Sequence, residues 1–357
     1  MNKNGKIIGD ISWMLDFAII GFPKCGTSFL KEYLNQTETT FVYHREFCLK
    51  KPSDLKRFVE TYHDLHVRFQ QQQQSATNNK SNNDKTIRFG LKCPGVLYRS
   101  YDMKIYEKYF PNTKFIVGIR HPVSWFESFY NYQMVRNVSM PPTTSLVGNC
   151  NDSSSGGEQE DHQKVCTDRA RFHAALARLR KTPLLEKEEI DLLFGTRYEN
   201  EEKYYNNSSS SSHHSQQQQR QQRHLSSSQN KQRNEFPNQL LLYEVRQLHQ
   251  NNDTTTTSSR EVLPDTLSNY LDIPQDNNLP PIQSYKNVKP RAINICDDTH
   301  ASVRRLLVEH GTDAAIWIKQ YLMKNPTVEI VSPESFGRLL DSWSIDPCGN
   351  DTDTTKS

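Results

Sequence analysis

The stretch FAIIGFPKCGTSFLKEYL, Phe17 to Leu34, decides the reading of this chain. An apolar run ends in a tight loop carrying Gly21 and Gly26, and a helical pattern opens directly behind it. The G-x-x-x-x-G spacing lets backbone amides curl around a phosphate, and the helix behind adds its N-terminal amides and dipole. Lys24 lies inside the loop, and Thr27 and Ser28 follow the second glycine. A nucleotide triphosphatase of the Walker type places lysine after that glycine, followed by the hydroxyl that ligates magnesium. That order is missing, so the loop is expected to bind an anionic nucleotide with no provision for metal. Thr27 or Ser28 is the expected N-cap.

Working outward, short apolar segments alternate with amphipathic ones. DFAIIGF, TFVYH, TIRFGLK, KFIVGIR and QLLLYEV read as five strands. Helices are expected over TSFLKEYLNQ, SDLKRFVETYHDL (capped by Ser53), DMKIYEKYF, VSWFESFYNYQMV, FHAALARLRKT, EKEEIDLLF, DTLSNYLDI, ASVRRLLVEH and AAIWIKQYLMK. The alternation predicts an α/β fold of the P-loop-like, three-layer kind: a mostly parallel central sheet with helices on both faces. Ligands of such sheets bind at the carboxyl ends of the strands, where the candidate motifs fall.

Hydrophobic content is only 34%, because polar tracts at 70–84, 143–163, 206–232 and 251–259 dilute the chain. Such compositions bury too little apolar area to offset chain entropy. They are expected to be disordered insertions in a single domain over 1–345, followed by a disordered tail at 346–357. A net charge of +3 argues against nucleic acid as the main partner. The apolar run before the loop is interrupted by Asp10 and Asp16 and is too short to span a bilayer. As written, the chain reads as soluble and cytoplasmic, with the Golgi lumen as the alternative if an N-terminal anchor precedes it. Of seven cysteines, Cys25 and Cys93 fall in candidate site loops. Cys150 with Cys166, and Cys296 with Cys348, are spaced to form disulfides, although free thiols are the expected state without a signal peptide.

The second motif is KFIVGIRHPVSWFESFY. A strand ends at Arg120, and Ser128 lies eight positions on, about two helical turns, so the two are suited to clamp one phosphate. Together these stretches resemble the sulfotransferases that use 3′-phosphoadenosine 5′-phosphosulfate. GFPKCGTSFL is similar to their 5′-phosphosulfate loop, with Pro23, Lys24, Cys25, Gly26, Thr27 and Ser28 as donor-binding positions. Arg120 and Ser128 match their 3′-phosphate motif. The resemblance is strong over 15–135 and weak over 240–345. It implies the phosphosulfate as co-substrate, no metal, and an acceptor hydroxyl or amine.

In the cytosolic branch of that family a histidine follows the third-strand lysine by two positions. Here Lys92 is present in GLKCPG, but Pro94 stands in the histidine's place and cannot accept a proton. The carbohydrate-modifying branch of the heparan-sulfate, Golgi type takes a glutamate after the second strand, and VYHREFCLKKP offers Arg45-Glu46. The resemblance therefore implies Glu46 as general base, with His44 as substitute, and Lys24 and Lys92 stabilising the leaving phosphate. Lys289 and Arg291 in NVKPRAI are similar to a nucleotide-covering Lys-Gly-Arg segment, with Pro290 replacing the glycine. The acceptor is then a carbohydrate or a small hydroxylated molecule. Two other readings remain at this level: a P-loop-type nucleotide kinase, and a non-catalytic nucleotide-binding protein.

Overall fold

The computed structural model describes residues 7–50, 52–76, 87–98, 100–138, 140–146, 167–179, 238–248, 262–273 and 292–349. The chain divides into two compact units, a larger one (1–176 with 237–357) and a smaller one (177–236). Only residues 177–179 of the smaller unit are described.

The larger unit is built on six strands: β1 (Phe17–Ile19), β2 (Thr40–Val42), β3 (Arg88–Lys92), β4 (Lys114–Ile119), β5 (Leu240–Glu244) and β6 (Val328–Ile330). Their order is β2-β3-β1-β4-β5-β6, and every neighbouring pair is parallel. This is the expected α/β architecture. Parallel strands buried on both faces read as unbroken apolar runs, and Phe17, Ala18, Ile19, Leu241 and Leu242 are all fully buried. The sheet grows toward both edges from β1, which lies between β3 and β4. An open parallel sheet leaves its crevice where the strand order reverses.

The described helices are α1 (Thr27–Leu34), α2 (Pro52–Ala76), α3 (Ser100–Tyr109), α4 (Pro122–Val135), α5 (Phe172–Leu179), α6 (Val262–Tyr270), α7 (Ala301–Trp317) and α8 (Pro333–Asp341). A π-helical stretch, Ile318–Leu322, extends α7. No helix among the described residues is long and apolar enough to cross a membrane.

Aromatic side chains fill the core in two groups. Phe22 of the loop meets Phe172 at 4.5 Å between ring centroids, and Phe172 joins Trp125 and Trp343. Phe58 stacks on Tyr62 at 4.1 Å and meets Phe110 edge-on. The Tyr62 hydroxyl donates to the Gly90 carbonyl at 2.7 Å, which ties α2 to β3.

Several sequence expectations are corrected. Helix α2 begins at Pro52, so Ser53 lies within its first turn, and it continues through residues 70–76, the start of the first polar tract. Glutamine is a competent helix former, and the helix was already nucleated upstream. Strand β6 was missed because only three residues pair and Glu329 points outward. Residue 346 does not begin a loose tail: Asp346 accepts from Arg304 Nε at 3.0 Å, and Cys348 is disulfide-bonded to Cys296. Cys48 is bonded to Cys93, so the expectation of free thiols fails for both described pairs. The helix expected at 186–194, most of the later polar tracts, and Cys150 with Cys166 lie outside the described residues.

Candidate functional site

The loop from Gly21 to Gly26 is held against the sheet by contacts that admit no side chain at two positions. A Cβ on Gly21 would lie 2.4 Å from the Gly118 nitrogen, and one on Gly118 would lie 2.5 Å from the Cys25 carbonyl oxygen. The loop therefore lies directly on β4. The Tyr243 hydroxyl donates to the same Cys25 carbonyl at 2.8 Å, and Trp125 Nε1 donates to the Pro23 carbonyl at 2.8 Å. Gly118→Ala is expected to push the loop off the sheet and cost about 1–3 kcal/mol, as overpacking does. A urea-unfolding comparison with wild type checks this.

Lys24 and Gly26 both adopt left-handed backbone, with φ of 68° and 75°, while Cys25 between them does not. Such alternation aims successive amides into one concavity suited to an anion. A lysine in this region is strained, and strain of this kind persists only where the surroundings enforce it. Gly26, rather than Thr27 or Ser28, is the N-cap of α1, because the turn demands a left-handed residue there. Thr27 is buried as the first helical residue, and Ser28 is exposed.

Cys25 lies between Lys24 and the start of α1, beside groups that would favour a thiolate. Instead it is fully buried and free, and burial pushes its thiol well above its ordinary value. Its amide bonds to the Phe22 carbonyl at 3.2 Å, so this position serves the loop's own geometry.

Lys92 closes β3 and brings three distant stretches together. Its Nζ lies 2.8 Å from Ser28 Oγ and 3.0 Å from Glu46 Oε1. The ammonium is almost fully buried, whereas Glu46 is 57% exposed. Ser28 accepts from Lys92, which leaves the hydroxyl proton available to a further acceptor. His44 is exposed; its carbonyl accepts from Lys31 Nζ at 3.1 Å, and its ring rests against Tyr43.

Arg120 follows β4 directly. Burial lowers its guanidinium from its ordinary value, and the nearby Cys25, Glu244 and Glu127 oppose that shift. Among the described residues its hydrogen bond is to the Lys24 carbonyl, at 3.5 Å. A half-buried group with five donors and, among the described residues, one long bond is suited to receive an anion. Ser128, half-buried, stands on α4. The side chains around it tie α4 to the segment after Arg291. Asn131 Oδ1 accepts from the amides of Ala292 and Ile293 at 2.8 Å each, and Glu127 accepts from Ile295 at 3.3 Å. Lys289 and Arg291 themselves lie outside the described residues.

Sequence reasoning missed Tyr132, whose ring lies beneath the Lys24 ammonium at 4.5 Å from its centroid. It stands one helical turn after Ser128, a spacing that puts both on one face of α4. It also missed Glu244 at the end of β5. This carboxylate is fully buried, accepts from Arg246 N at 2.7 Å and Arg246 Nε at 3.1 Å, and is raised by burial.

His121 caps α4: its Nδ1 accepts from the Val123 amide at 3.3 Å while Nε2 lies 3.2 Å from the Ile345 carbonyl. These partners assign a neutral ring that donates through Nε2. Burial lowers its pKa from 6.5 to about 4. Between those values the unfolded chain takes up a proton that the folded one excludes. Stability from this residue is therefore full above pH 6.5 and declines as pH falls toward 4, by about 3 kcal/mol in all. His173 shifts in the same direction, so the test compares urea midpoints against pH for wild type and His121→Asn. The variant should lose a distinct part of the acid dependence.

A search of curated proteins found no match. Among solved structures the chain is similar to a sulfotransferase from Alicyclobacillus acidocaldarius, with a TM-score of 0.42 and 11% identity, over 85% of this chain and 96% of that one. Residues 18–159, which hold every described member of this site from Gly21 to Tyr132, match the family model of the sulfotransferase domain, and that match supports a transferase.

Proposed function

We propose that this protein transfers a sulfuryl group from 3′-phosphoadenosine 5′-phosphosulfate to a hydroxyl or amine of a carbohydrate. The observation that carries the reading is Lys92, whose ammonium touches Ser28 of the phosphate loop and Glu46 from another strand end. One cation thus joins a site for the donor's leaving phosphate to a carboxylate able to take the acceptor's proton.

In the proposed reaction the acceptor oxygen (or nitrogen) attacks sulfur in line, Glu46 removes its proton, and the bond from sulfur to the bridging oxygen breaks. The electron pair leaves on the 5′-phosphate. Lys24, Lys92 and the loop amides stabilise that charge, and Arg120 with Ser128 holds the 3′-phosphate. Pro94 occupies the position where a histidine would serve the cytosolic branch, which supports Glu46 as base and a carbohydrate as acceptor. Two disulfides among the described residues favour an oxidising compartment such as the Golgi lumen.

The test is transfer from donor carrying radioactive sulfur to a panel of polysaccharides, sterols and phenols. Label on a polysaccharide supports the proposal. Label on a phenol or sterol alone removes the carbohydrate, and no transfer to any acceptor removes the activity.

A further inference from the structure

We propose that the Cys48–Cys93 disulfide is the positioning device for the Glu46–Lys92 pair; its kinetic consequence rests on the sulfuryl-transfer reading above. The reason lies in how β2 leaves β3. The two strands pair from Thr40 opposite Arg88 to Val42 opposite Gly90, and the Tyr43 amide still reaches the Gly90 carbonyl at 3.3 Å. The chain then departs through His44, Arg45 and Glu46, all exposed and outside any helix or strand. It returns when the Phe47 amide bonds to the Lys92 carbonyl at 3.0 Å, and the next residue, Cys48, is bonded covalently to Cys93.

Glu46 therefore sits on a three-residue excursion whose return end is fastened beside Lys92. Its ion pair cannot fasten the excursion alone, since Glu46 is 57% exposed and such pairs are weak in solvent. Noncovalent supports act with the disulfide: Lys31 Nζ donates to the His44 carbonyl at 3.1 Å, the Phe47 amide holds the Lys92 carbonyl, the Phe47 ring packs edge-on against Phe58 and Tyr62, and the Arg57 guanidinium covers it. These fix His44 and Phe47, but only the disulfide ties the excursion covalently beside Lys92. Cys93 is itself referenced to the phosphate loop, because its amide bonds to the Ile19 carbonyl of β1 at 3.0 Å. One covalent link thus sets the carboxylate, the ammonium and the strand feeding the loop in a common frame. Catalytic groups misplaced by about 1 Å lose turnover steeply, whereas the donor-binding backbone, resting on β4, does not depend on this link.

Two arms test the proposal. One is the Cys48→Ser/Cys93→Ser variant. The other is a Cys296→Ser/Cys348→Ser protein treated with dithiothreitol, which is oxidised to its cyclic disulfide as Cys48 and Cys93 each gain a proton and an electron. Alkylation mapped by mass spectrometry establishes which thiols are free. This second arm lets the protein fold with the Cys48–Cys93 link intact before the link is opened. The first readout is independent of activity: the rate at which an amine-acylating reagent modifies Lys92, which is 7% exposed with the link intact. Opening the link is expected to raise that rate about fivefold while Lys24 changes less than about twofold, as local release of one loop would. The second readout is kinetic: kcat should fall about tenfold or more with 3′-phosphoadenosine 5′-phosphate affinity within about threefold.

Unchanged Lys92 modification in both arms overturns the proposal, even in an active enzyme. Equal losses of kcat and nucleotide affinity also overturn it, because the link would then be a general staple of the fold. If the intact protein transfers no sulfuryl group yet Lys92 responds as expected, the functional reading fails and the positioning of the pair stands.

Discussion

Replacing Glu46 by glutamine is expected to lower kcat by about 100- to 10,000-fold, the range a positioned general base contributes. Affinity for 3′-phosphoadenosine 5′-phosphate should stay within a few-fold of wild type. The substitution keeps the shape and one oxygen near Lys92 but removes the carboxylate that accepts the proton. The buried Lys92 ammonium retains its contact with Ser28 Oγ at 2.8 Å, so the phosphate side of the site should persist. The matched control is His44→Ala. His44 is exposed, and its carbonyl rather than its ring receives Lys31. Near-normal turnover of Glu46→Gln together with loss in His44→Ala would assign the base to the histidine. Steady-state kinetics with saturating donor, paired with binding measurements, separates the two.

Replacing Arg120 by alanine is expected to weaken binding of the bisphosphate by about 100-fold, or roughly 3 kcal/mol. The effect should be much smaller with adenosine 5′-phosphate, which lacks the 3′-phosphate. Arg120 is held at the end of β4 with a long bond to the Lys24 carbonyl, so its guanidinium has donors to spare for an anion. A secondary loss is expected because Arg120 also touches the strained loop. Comparing the two nucleotides on both proteins isolates the 3′-phosphate contribution. An equal loss for both nucleotides would make Arg120 a support of the loop rather than a ligand of the 3′-phosphate.

The residues that converge were legible because parallel sheets leave their strand ends on one side. Gly21 to Gly26 after β1 and Arg120 after β4 follow from that rule and from the apolar runs, whereas Glu46 after β2 and Lys92 closing β3 are picked out by the family resemblance. What joins them was not legible. Nothing in the sequence says that Lys92 Nζ reaches both Ser28 and Glu46, since that depends on the β1–β3 register and on the excursion at 44–46. The Cys48–Cys93 pairing depends on the same register. The cap of α1 was misassigned because the usual preference for Thr or Ser yielded to a loop requiring left-handed backbone at Gly26. Tyr132 was overlooked because its partner Lys24 lies 108 residues away in sequence, and only the packing of α4 against the loop reveals the contact.

The phosphate loop is expected to hold a phosphosulfate donor without help from a metal. Calorimetric titration of the protein with 3′-phosphoadenosine 5′-phosphate and with ATP, each with and without magnesium, tests it most directly. Tight binding of the bisphosphate is expected, indifferent to magnesium and lost in Lys24→Ala and Arg120→Ala. A magnesium-dependent preference for ATP would contradict it and assign the site to a nucleotide kinase.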